Sequence, residues 1–554
     1  MVSILAHTQP GYATATHDVT NQPPPLTPYD ASEDVALLEG LRREGAEWAE
    51  KDVRRLGQLA GGIEAQEWAD QANRYEPELR THDRYGNRID EVDFHPAWHH
   101  LMRTAVREGL AGAAWGDGRP GAHVARIAGA LVWGHTEAGH TCPTSMTYAV
   151  VPALRRQPEL AAVYEPLLTG REYDPALRVP TEKPGLLAGM GMTEKQGGSD
   201  VRANTTTATP SSEPGVYTLR GHKWFTSAPM CDLFLVLAQA PGGLSCFLVP
   251  RVLPDGGRNT FRIQRLKDKL GNRSNASSEP EFDGTVAWRV GPEGQGVKTI
   301  IEMVNCTRLD CVMGSAALMR RTLVEAGHHA RHRGAFGARL LDQPLMRNVL
   351  ADLALESEAA TTLTLRLAGA ADRAMRGDEG ERGLRRIATA VGKYWVTKRG
   401  PAFAAEALEC LGGNGYVEDS GMPRHYREAP LLSIWEGSGN VNALDVLRAL
   451  TRDPDTAEAL FAELALARGA DARLDTAAAR LKDAVREADQ AGARRLVERM
   501  AVTLQASLLV RHVPAAIADA FCATRLDGDW GHAYGTLPGS ADIDGILRRA
   551  LPAG

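Results

Sequence analysis

Gly191-Met192-Thr193-Glu194-Lys195-Gln196-Gly197-Gly198-Ser199-Asp200 stands where the texture of this 554-residue chain changes. Before it, from Ala31 to about Pro180, apolar residues recur at three- and four-residue spacing, which predicts helices. After it, from about Val216 to Trp288, runs such as Phe234-Leu235-Val236-Leu237 and Cys246-Phe247-Leu248-Val249 alternate with turns such as Pro241-Gly242-Gly243. No long helix fits between those runs, so they predict an antiparallel β unit. Helical spacing returns after Gly296. Met346, Leu350, Leu353, Ala360 and Leu367 fall near heptad spacing, which predicts one long helix and with it a bundle. From about Thr451 the chain is again helical and alanine-rich. The sequence therefore divides into an extended arm (1–30), a helical domain (31–185), a β domain (186–290), a helix bundle (291–450) and a further helical tail (451–554). That is an α+β chain.

Composition narrows the class. With 43% hydrophobic and 24% charged residues, neither a disordered nor a collagenous chain fits. Lys and Arg number 63 against 69 Asp and Glu, so a net charge of −6 draws no nucleic acid to the chain as a whole. The seven cysteines are scattered without a C-x-x-C pair, which disfavours a zinc site or a disulfide framework and predicts a reducing, cytoplasmic setting. The start lacks a basic leader, and no apolar run is long enough for a membrane span. Neither G-x-G-x-x-G after a strand nor a P-loop is present. His135 and His140, five residues apart, fall about 140° apart around a helix. They read as a surface or interface pair, and no metal is expected.

Four stretches carry chemistry together. In the first, Gly197-Gly198-Ser199 exposes N–H groups and a hydroxyl that suit phosphate oxygens. In the second, His222-Lys223-Trp224-Phe225-Thr226-Ser227, an aromatic face stands beside a donor, which suits a flat heteroaromatic ring. In the third, Arg333-Gly334-Ala335-Phe336-Gly337, a guanidinium offers a fork for phosphate. The fourth joins Leu411-Gly412-Gly413-Asn414-Gly415-Tyr416, where backbone can approach a ligand closely, to Ile434-Trp435-Glu436-Gly437-Ser438-Gly439-Asn440, where a carboxylate sits in a glycine-flanked turn and can act as a base. Each alone is bland; the set is specific.

The set resembles the acyl-CoA dehydrogenase superfamily, whose order of helical domain, β domain and four-helix bundle is the same. Asn21-Gln22-Pro23, Phe94-His95-Pro96-Ala97-Trp98-His99, Asn305-Cys306-Thr307-Arg308-Leu309-Asp310-Cys311 and the helical tail narrow the resemblance to its AidB-like branch. The resemblance implies a flavoprotein that holds FAD through Met192, Thr193, Gly198, Ser199, Trp224, Phe225 and Thr226. It places Arg333, Gly412, Gly413, Ile434, Trp435, Ser438 and Asn440 against the rest of a cofactor, some across a subunit boundary, and so implies a homotetramer. Glu436 is implied as the base that takes the α-proton of an acyl-CoA or related thioester; the alternative base position on the Asn305 helix is occupied by Thr307, which cannot serve. Arg308 is implied at the substrate, although Asn305 replaces the family's aspartate beside it and Glu409 replaces a glutamine before the Gly412 turn. No electron acceptor is specified.

Two rival readings follow from the same branch. One is a DNA-protecting flavoprotein with vestigial dehydrogenation; the other is the same scaffold turned to a biosynthetic substrate. Double-stranded DNA would meet Arg448, Arg494 and Arg495. The tail from Thr451 onward nevertheless holds 13 Lys and Arg against 15 Asp and Glu, a net −2, whereas duplex affinity needs concentrated positive charge.

Overall fold

The computed structural model describes residues 16–551; the first fifteen residues of the predicted arm lie outside the described residues. The N-terminal helical domain contains Val35–Arg43, Glu50–Ala60, Ile63–Arg74, Pro96–Arg107, Ala122–Trp133, Thr141–Leu154 and Pro158–Leu168. It also contains a hairpin, Glu78–His82 against Arg88–Asp93, that the helical reading missed. The hairpin is largely polar, with only Leu79, Ile89 and Val92 apolar in its strands, so it lacks the alternating apolar face by which strands are read. Two histidine expectations divide. His95 caps its helix by accepting from Ala97 N–H, and His100 stacks on Trp68, so that segment is packing. His135 and His140 are not at a surface: both are buried, His135 against the Tyr29 hydroxyl and His140 against Glu137 at 2.6 Å. Among the described residues no cluster of side chains could hold a metal ion.

The β domain is an eight-stranded sheet. Leu233–Ala240 pairs antiparallel with Gly243–Pro250, placing Leu235 opposite Leu248, and Val216–His222 pairs antiparallel with Ser277–Val290. One pair departs from the antiparallel expectation: Ala188–Gly191 runs parallel to Leu233–Ala240. This parallel strand ends at Gly191 and so aims the following loop along the sheet edge. Phe234, Phe247 and Phe261 are fully buried there; truncating one such ring costs about 3–5 kcal/mol.

The bundle is built on Gly296–His332, Pro344–Met375 and Glu379–Glu409, of 37, 32 and 31 residues, completed by Met422–Ile434 and Gly439–Arg452. The tail packs onto it through Pro454–Ala465, Ala493–His512, Ala515–Phe521 and Ile543–Ala550, while Ala472–Arg486 packs on Ala493–His512. Its seam is polar as well as apolar. Arg366 pairs with both Glu381 and Glu463, Arg511 with Glu463, and Arg525 with Asp352 and Glu356. The tail is thus fused to the bundle. Among the described residues no helix is long and apolar enough to cross a membrane.

Candidate active site

The loop that begins at Met192 is tied to the Trp224 segment beside it. Trp224 N–H donates to the Thr193 carbonyl at 2.8 Å, and Asn204 Nδ2 donates to the Met192 carbonyl at 2.9 Å. Beneath them Glu194 and Lys223 form a fully buried ion pair at 2.7 Å. Burial pushes the Glu194 carboxyl up, but the Lys223 ammonium and N–H donors from Thr205 and Thr206 outweigh it and hold the carboxyl well below its ordinary value. Gly198 lies so close to Thr193 that a Cβ would stand 2.6 Å from the hydroxyl oxygen, which restricts the position to glycine. Ser199 is exposed at the loop's edge.

Trp224 faces cations. Lys267 Nζ lies 3.2 Å from its ring centroid, with Lys195 Nζ and Arg265 Cζ each at 5.7 Å. Phe225 is exposed alongside. Thr226 Oγ1 is buried and has no hydrogen-bond partner among the described residues. A hydroxyl left so costs about 1–3 kcal/mol unless something satisfies it.

The second part of the site is a turn. Helix Met422–Ile434 ends at Ile434 and Trp435, and the chain then takes left-handed backbone at Glu436 (φ 57°) and Gly437 (φ 95°). For glutamate that conformation is uncommon and is held only when its surroundings over-determine it. Here they do. Arg308 Nε donates to the Glu436 carbonyl at 3.1 Å, and Lys393 Nζ donates to the carbonyls of Ser433 (3.1 Å) and Gly437 (2.6 Å). Asn442 Nδ2 donates to the Gly437 and Ser438 carbonyls. Arg308 is therefore buried in the turn's support, its other arm on Asp445 at 2.6 Å. Glu436 Oε2 is enclosed and has no partner among the described residues. Burial pushes this carboxyl up, partly offset by Thr307, Arg308 and Lys393. Ser438 and Asn440 are exposed where helix Gly439–Arg452 begins.

These two parts meet at the junction of β domain and bundle. Asn272 donates its N–H and its amide to Glu428, both at 2.8 Å. The Cys142 thiol is pushed up to about 12 by burial, an effect that Ser227 and Asn275 oppose and the nearby charge of Glu436 adds to. The Arg333 and Gly412 segments form a third part. Arg333 Nη1 donates to the Asn21 carbonyl, Asn21 also pairs with Gly334, and Asn414 reaches Gln22. Space above Gly412 (φ 59°) and Gly413 is open. Among the described residues no hydrogen bond joins this third part to the Met192–Thr226 region. The arginines read for a duplex are all exposed: Arg448 lies 4.0 Å from Asp445, Arg494 over the Tyr394 ring, and Arg495 beside it.

Residues 189–285 match the acyl-CoA dehydrogenase middle domain, residues 294–451 the acyl-CoA dehydrogenase C-terminal domain, and residues 21–175 the N-terminal domain of adaptive response protein AidB. Over 518 residues the chain is 46% identical to AidB of Escherichia coli (strain K12), covering 92% of this chain and 95% of that one. The chain belongs to the acyl-CoA dehydrogenase family. Its backbone superposes on Caenorhabditis elegans ACDH-11, solved in complex with C11-CoA, with a TM-score of 0.82 at 26% identity over 94% of both chains. It superposes on the apo form of Bd2924 with a TM-score of 0.80 at 29% identity over 91% of this chain and 100% of that one.

FAD is the cofactor of this family, and the residues here fit it. Thr226 offers a buried hydroxyl without a partner, Lys195, Arg265 and Lys267 surround Trp224 with positive charge, and Gly412 and Gly413 leave backbone uncovered. The sequence reading assigned no role to Glu194, Lys223, Asn442, Cys142 or Lys393. Lys393 had a visible signal, one lysine inside the apolar run Val391-Gly392-Lys393-Tyr394-Trp395-Val396.

Proposed function

We propose that this acyl-CoA dehydrogenase oxidises the Cα–Cβ bond of an acyl thioester, with Glu436 as the base. The observation that carries this is the Glu436 carboxylate, enclosed, unpartnered at Oε2 among the described residues, and held on a left-handed turn. Raised by burial, it is a stronger base than an exposed glutamate and gains most by taking a proton. Glu436 Oε2 would remove the α-proton and keep it. FAD, when bound, supplies the acceptor at flavin N5 for the hydride leaving the β-carbon. Met192, Thr193, Gly198, Ser199, Trp224, Phe225 and Thr226 would hold it beside Glu436, with Ile434, Trp435, Ser438 and Asn440 along its length. Arg308 acts on the substrate only through the turn it braces.

Arg333, Gly412 and Gly413 complete a cofactor site across a subunit boundary in this reading, which makes the protein a homotetramer. Their separation from the Thr226 region and the full exposure of Phe336 support it. The acyl-CoA carried by the C. elegans relative supports the substrate class. Duplex binding is not proposed, because the tail's net charge is −2 and Arg494 stands over the Tyr394 ring. The test is to incubate the FAD-loaded protein with straight and branched acyl-CoAs and an artificial dye acceptor. Mass spectrometry should show an enoyl-CoA lacking two hydrogens; a panel returned intact would overturn the proposal.

A further inference from the structure

Lys393 is fully buried in the middle of helix Glu379–Glu409, and among the described residues it forms no ion pair with a carboxylate. A buried ammonium without a counterion is costly, and its place in a fold asks for a reason. Its hydrogen bonds give the reason. Nζ donates to the Ser433 carbonyl three residues before Glu436 and to the Gly437 carbonyl one residue after it. The two bonds straddle the left-handed residue and fix both ends of the turn that carries the base. A neutral amide could tie the same two carbonyls. Asn442 does so at Gly437 and Ser438. What only a cation adds is a field at the glutamate.

We propose that Lys393 is a positioning residue for Glu436: it locks the left-handed turn by its two carbonyl bonds and sets a positive charge beside the carboxylate. This rests on Glu436 being the base. The other charged or titratable groups facing the pair are Arg308, Asp310 and Cys311 from helix Gly296–His332, Lys398 from the lysine's own helix, and Cys142 from helix Thr141–Leu154. Asp310 is matched by Arg126 at 2.6 Å, and Arg308, although paired with Asp445, also acts with Lys393 to lower the Glu436 carboxyl. Both thiols are pushed up to about 12 by burial and stay neutral. Of the two buried cations at the turn, Lys393, unlike Arg308, has no carboxylate partner among the described residues. Burial lowers it to about 8, so it is charged at neutral pH.

The test uses Lys393→Met, which keeps the length of the side chain, and Lys393→Arg, which keeps the charge, in FAD-loaded protein whose unchanged circular dichroism and flavin absorbance certify the fold. Two readouts are taken. Flavin reduction by an accepted acyl-CoA is followed by rapid anaerobic mixing across pH. The Glu436 carboxyl is titrated by infrared difference spectroscopy, its band assigned by its loss in Glu436→Gln. Lys393→Met should slow reduction by about 10²-fold, the usual effect of misplacing a reacting group. It should also raise the infrared midpoint and the acid limb of the rate profile together by about one pH unit or more, and Lys393→Arg should restore the midpoint. Added to Glu436→Gln, Lys393→Met should slow reduction no further. An unshifted infrared midpoint, or full additivity in the double variant, would overturn the role of Lys393. Unimpaired reduction by Glu436→Gln would instead overturn the assignment of the base, and the infrared titration decides on Lys393 even then.

Discussion

Thr226 and the Glu194–Lys223 pair make opposite statements about buried polar groups. The Thr226 hydroxyl lacks a partner in the protein alone, so Thr226→Val should leave apoprotein stability unchanged or raise it by up to about 1 kcal/mol. The same change should weaken FAD binding several-fold, read as the dissociation constant from flavin fluorescence. Lys223→Met differs. It strands the Glu194 carboxylate in a dry site and should destabilise the protein by about 3–5 kcal/mol, measured by denaturant unfolding of the apoprotein. At this scale the sequence carries a signal where a residue's type alone suggests the use proposed for it: Glu436 in a glycine-flanked turn, Trp224 beside Thr226. It was illegible where the use depends on what lies across the interior. Lys223 is 29 residues from Glu194, and Lys393 is 44 from Gly437, and no local pattern ties either to its partner.

Among the elements, the contact between the Asn272 loop and helix Met422–Ile434 couples the β domain to the helix that leads into the Glu436 turn. Glu428 closes it, and burial raises this carboxyl to about 7 although Asn272 donates two hydrogen bonds to it. In the unfolded chain the group titrates near 4.5, so folding favours its protonated form. The resulting stabilisation is complete below about pH 4.5 and is lost as pH rises through about 7. Glu428→Gln cannot titrate, so its stability should fall less steeply than the wild type's between those values, as thermal melts across pH will show. An equal slope in both would remove Glu428 from the account. The long helices were legible because thirty residues of heptad spacing admit few alternatives. The hairpin Glu78–His82 with Arg88–Asp93 was not, because its largely polar strands have no apolar period.

For the whole molecule, the tail and the third part of the site carry the expectations. Removing the chain after Arg452 strips Arg366 of Glu463 and leaves Asp352 and Glu356 without Arg525. The truncated protein should therefore aggregate instead of behaving as a smaller dehydrogenase, and its soluble yield and melting curve measure that. Light scattering should report a tetramer, and Phe336→Ser, at a residue fully exposed in the single chain, should lower both assembly and FAD occupancy. That coupling is implied only by family resemblance, since one chain's sequence does not show which surface meets a second copy. The central claim remains that Glu436 removes a proton as the flavin is reduced. Its most direct measurement is anaerobic mixing of FAD-loaded wild type and Glu436→Gln with the same acyl-CoA, followed by bleaching of the flavin band. The account predicts rapid bleaching in the wild type and bleaching slowed by about 10²–10⁴-fold in the variant, with the cofactor still bound; equal rates in the two proteins would contradict it.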